Sequence, residues 1–115
     1  MADSTIKDLQ NQAKTCATLA GLFNANGDVV IATQYYLRAA LLESNAAQML
    51  PAKPDNEPSR SLLFLSAALY AKKGGDYQKA KELCFEGLAG YPRLSIRQEF
   101  ESLLEKIRAE ISANS

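Results

Sequence analysis

The run from Gly75 to Pro92 constrains the chain most, because it holds a corner, a helix start and a helix stop within one short stretch. Gly75 supplies a backbone able to turn tightly, and Asp76 can accept from the free amides that open the following helix. Ala80 lets a neighbouring helix come close, while Gly90 and Pro92 stop the helix. The run therefore reads as the second half of a helical hairpin. A similar corner lies upstream at Gly27-Asp28 and leads into Val29 to Leu42. The β-branched start of that segment would also suit a strand, but the alanines and leucines after it predict a helix.

The other elements follow from spacing. A first helix is expected after Ser4 or Thr5, with Ile6, Leu9, Ala13, Cys16, Ala20 and Phe23 at helical intervals. Pro51, Pro54 and Pro58 with Asp55 and Asn56 predict a loop over 50–57, read as a tether between hairpins, and Ala46 to Met49 can extend the helix before it. A third helix is expected from near Pro58, capped by Asn56 or Glu57, and a fourth over Tyr77 to Ala89. Ser95 and Gln98 form a capping-box pattern ahead of a fifth helix with the apolar stripe Ile96, Phe100, Leu103, Leu104, Ile107 and Ile111. The expected fold class is all-α, as a single domain. It comprises a hairpin over 5–50, a loop over 50–57, a hairpin over 58–90, and a capping helix over 95–112 that closes the exposed end.

Two passages carry a resemblance to a known family. Phe64 to Pro92 holds Gly75-Asp76-Tyr77, Ala80, Leu88 and Pro92, and Cys16 to Ser44 repeats the frame with Leu19, Ala20, Phe23, Gly27, Asp28, Ala32, Tyr36 and Ala39. In this the chain resembles the tetratricopeptide repeat (TPR), a unit of about 34 residues made of two antiparallel helices with small residues where they cross. Gly27 and Gly75 lie 48 positions apart, so an insertion of roughly 14 residues separates the two hairpins. Val29 stands where the family favours an aromatic residue, and the first hairpin lacks the closing proline. Gly74-Gly75 reads as one residue too many at the corner, with Tyr70 rather than Ala71 as the aromatic one turn before it.

Composition narrows function by exclusion. The thirteen basic and thirteen acidic side chains cancel, so the overall charge attracts neither nucleic acid nor an anionic membrane surface. Histidine is absent, which removes the commonest general base, and two separated cysteines make no ordinary zinc site. Cys16 and Cys84 fall at core positions. With no signal-peptide pattern and few cysteines, a reducing cytoplasm is the expected setting. The carboxylates Glu99, Glu101 and Glu105 interleave with Arg97, Lys106 and Arg108 as a solvated helix face does. No catalytic constellation, cofactor site or metal site is read, and nucleic acid is an unfavoured partner: Lys72, Lys73, Lys79 and Lys81 have Asp76, Glu82 and Glu86 among them.

The expected function is non-catalytic protein interaction or scaffolding, with a small regulatory or accessory subunit of an enzyme or nucleic-acid complex as the alternative. The resemblance implies a groove lined by the first helix of each hairpin. Lys14, Asn24, Leu62, Leu65, Leu69, Lys72 and Lys73 are the candidate partner-binding residues, with the two lysines suited to a carboxylate and the leucines to an apolar side chain. Leu62, Leu65 and Leu69 can equally be core. The family's clamp for C-terminal carboxylates is not carried over, because Ala17 and Gly21 occupy its positions. Only seven of the charged residues lie in the first fifty positions, so the N-terminal hairpin is expected to be central in the fold, or else a docking surface. Self-association as a homodimer would use Val30, Tyr35 and Leu41.

Overall fold

The computed structural model describes residues 2–114, with side chains over 5–114. Its helices are α1 (Ala2–Ala25), α2 (Val29–Gln48), α3 (Ser59–Lys73), α4 (Tyr77–Leu88) and α5 (Leu94–Ala113), with a 3-10 turn at Pro54–Asn56. The described residues include no strand, and none of these helices is long and apolar enough to cross a membrane. Packing is mostly sequential: α1 lies on α2, α2 on α3, α3 on α4 and α4 on α5, with α5 also reaching α3. Helix axes pack about 8–10 Å apart, so a shortest dimension of 18 Å makes the body about two helices deep.

The two corners share one hydrogen-bond pattern. The Asp28 amide donates to the Phe23 carbonyl and the Gly27 amide to that of Asn24; likewise Asp76 donates to Ala71 and Gly75 to Lys72. Both sets are the paired bonds of a Schellman helix end, and both need a left-handed residue, supplied by Gly27 (φ 85°) and Gly75 (φ 81°). Ala71 is thus the counterpart of Phe23, and the second corner has no extra residue, contrary to the reading from Tyr70. Gly74 has a separate cause: a Cβ there would lie 2.6 Å from Leu37 Cδ2, so the doublet combines a close approach by α2 with a turn. Asp76 caps α4 through a 3.0 Å bond from the Lys79 amide.

The same 48-residue offset relates the small residues at the helix crossings. Ala20 and Ala68 on α1 and α3, and Ala32 and Ala80 on α2 and α4, are all buried. The main core gathers on α3, whose Leu63, Phe64, Leu65, Ala67, Ala68 and Ala71 meet Leu83 and Cys84 of α4 and the α5 stripe Ile96, Phe100, Leu103, Leu104 and Ile107. The central helix is therefore α3. The N-terminal hairpin lies at one end, with Val30 73 % exposed, so its sparse charge does not reflect central burial.

Helix starts depart from the sequence reading at two places. α1 begins at Ala2, ahead of the expected caps. α5 begins at Leu94 with extended Arg93 as its N-cap, so Ser95 lies inside the helix and the Ser95/Gln98 capping box is not formed. Glu57 does cap α3, from one position outside it: its Oε1 accepts from the Ser61 amide (3.1 Å) and hydroxyl (2.6 Å), and its Oε2 from the Tyr91 amide (3.1 Å). Buried Arg60 donates to the carbonyls of Leu50 (3.1 Å) and Glu86 (3.3 Å) and lies 4.7 Å over the Phe64 ring. These two side chains tie the connection before α3 to the end of α4.

Candidate functional site

α1 and α3 both pack on α2 and leave a cleft of about 450 Å³ between them. Ile6, Lys7 and Gln10 of α1 form one wall, while Ser59, Leu62, Leu63 and Ser66 of α3, at spacings of three, one and three, form the other. Leu50, Asp55 and Asn56 of the connection complete the lining together with Glu43 of α2. The segment expected to be only a tether therefore supplies part of the site. A smaller hollow of about 170 Å³ continues along α1 past Lys14 to Tyr70.

Glu43 of α2 lines both hollows and is only 6 % exposed. It continues the stripe of Ala32, Ala39, Ala40, Ala46 and Ala47, all buried where α2 meets its neighbours, so helical spacing carries a carboxyl group inside. Burial pushes that carboxyl from 4.5 up to about 7. The Lys14 charge and a hydrogen bond from the Ser66 hydroxyl act in the opposite direction, by favouring the ionised form. Oε1 has no hydrogen-bond partner among the described residues. Burial also raises the Tyr70 phenol, and the Glu43 charge adds to that effect.

The structure divides the candidate partner-binding residues. Leu62 lies on a cleft wall, and Lys14 lines the smaller hollow beside it. Leu69 is exposed on α3 without lining either hollow, whereas Leu65 is buried in the core and not presented to a partner. Asn24, Lys72 and Lys73 sit at the hairpin corners, where Lys73 Nζ lies 5.8 Å over the Tyr36 ring. Of the self-association residues, Val30 and Leu41 are exposed, but Tyr35 is half-buried and stacks on Phe23 at 5.7 Å. Both cysteines are free and buried, with the Cys84 thiol pushed by burial up to about 12, a value at which it is inert.

Sequence reasoning missed Glu43. The available signal was its position: an acid four residues beyond Ala39, in register with the alanines, at the end of a helix otherwise apolar nearly all round. Among the described residues, no group of three or more cysteine, aspartate and glutamate side chains is placed to hold a metal ion. No family model matches the chain, and no curated protein or solved structure is significantly similar to it.

Proposed function

We propose that the chain is a non-catalytic protein-interaction module of TPR-like build that receives a segment of a partner protein between α1 and α3. The observation carrying this reading is the cleft itself: walls from two helices that mix apolar and polar side chains, and a buried carboxyl oxygen without a partner beside them. The matched corners and mostly sequential packing support the repeat-like build. A setting in a reducing cytoplasm belongs to the same proposal, resting on the two free buried thiols.

Affinity capture with mass spectrometry, using the full chain as bait, tests this reading. Leu62 is 45 % exposed on the cleft wall, and Leu94 is 71 % exposed on α5. Leu62→Asp is expected to reduce recovery of bound proteins at least tenfold, while Leu94→Asp leaves it unchanged. Equal loss, or no loss, in the two variants contradicts the cleft as the contact surface.

The exposure of Val30 and Leu41, eleven residues apart on one side of α2, favours a second reading, self-association through α2. Light scattering at micromolar concentration is expected to give a dimer mass that Val30→Lys with Leu41→Lys reduces to a monomer. A wild-type monomer contradicts it.

A further inference from the structure

The unmatched oxygen narrows what the cleft recognises, on the reading that the cleft is the contact surface. We propose that the cleft takes a lysine side chain of the partner, whose ammonium pairs with the Glu43 carboxylate while its methylenes lie along Ile6, Leu50, Leu62 and Leu63. A buried acceptor without a donor is unfavourable, and more so once ionised, so a donor carrying positive charge relieves it best. Lysine combines such a head with an aliphatic stem that prefers apolar surface, which suits a cleft where Ile6, Leu50, Leu62 and Leu63 lie among polar side chains and a carboxyl group. The charged groups around the two hollows balance, Glu43 and Asp55 against Lys7 and Lys14, so the buried carboxyl rather than net charge selects the cation.

Burial also discriminates between cations. A guanidinium gains most from two parallel bonds to both oxygens of an open carboxylate, whereas an ammonium acts as a point charge. A Glu43 side chain only 6 % exposed offers little room for the paired geometry, so lysine is preferred to arginine.

The groups facing Glu43 are Lys7 and Lys14 from α1, Asp55 from the connection, and Ser66 and Tyr70 from α3. Because the free carboxyl titrates at about 7, an ammonium must first displace its proton in acid solution. Affinity is then expected to rise about tenfold per pH unit from 5 to near 7 and to level off above, since a lysine ammonium stays charged throughout.

The test titrates the full chain with N-acetyl-lysine N-methylamide and with its norleucine and arginine counterparts, following amide NMR shifts at Ile6, Leu62 and Ser66. The lysine probe is expected to follow that pH profile. The norleucine probe, and the lysine probe with Glu43→Gln, are expected to bind at least tenfold more weakly and without pH dependence. Equal binding of lysine and norleucine overturns the lysine assignment and leaves the docking cleft standing, and so does arginine binding more tightly than lysine. No shift with any probe overturns both. The norleucine comparison needs no substituted protein.

Discussion

Phe100→Ala is expected to lower stability by about 3–5 kcal/mol, the usual range for removing a fully buried aromatic ring. Phe100 is completely buried in the main core, where α5 meets α4. Its ring occupies the space a side chain at Gly87 would need: a Cβ there would lie 2.3 Å from Phe100 Cζ and 2.9 Å from both Cε atoms. That fit leaves little scope for neighbours to fill the cavity, which favours the upper part of the range. A loss of 3 kcal/mol in a chain of 115 residues lowers the melting midpoint by roughly 10 °C or more. Leu94, 71 % exposed on the same helix, is the control: Leu94→Ala is expected to stay within about 0.5 kcal/mol of wild type. Denaturant melts of the two variants check the pair.

Glu43→Gln is expected to be more stable than wild type at pH 8, by roughly 2–3 kcal/mol, and equal to it near pH 4. The sign follows from the proton. Folding raises the carboxyl from 4.5 to about 7, so between those values the folded state holds a proton that the unfolded state has lost. Wild-type stability therefore falls as pH rises through that interval and levels off above it. Glutamine mimics the protonated acid at every pH and removes this dependence. Urea melts at pH 4, 6 and 8 measure it. A constant difference between the two proteins across that range contradicts the buried acid.

The hairpins were legible because their signals are local. Gly75-Asp76 acts within one turn, and the buried alanines at 20, 32, 68 and 80 follow from spacing alone. Tyr70 misled the corner register because an aromatic match outweighed the unseen contact of Leu37 with Gly74. The Ser95/Gln98 pattern failed because extended Arg93 starts α5 one residue before Ser95, leaving Ser95 no free cap position. Leu62 and Leu65 illustrate the limit for the site: both are leucines on α3, and only the neighbouring helices make one a cleft wall and the other core. Glu43 was the least legible, since its burial depends on α1, α3 and the connection, which are distant in sequence.

The main structural claim is that α1, α3 and the 49–58 connection enclose the Glu43 carboxyl. Titration of its side-chain carbonyl carbon by NMR in the unliganded protein tests this directly. A midpoint near 7 is expected; a midpoint near 4.5, the ordinary value, contradicts the cleft and the recognition drawn from it.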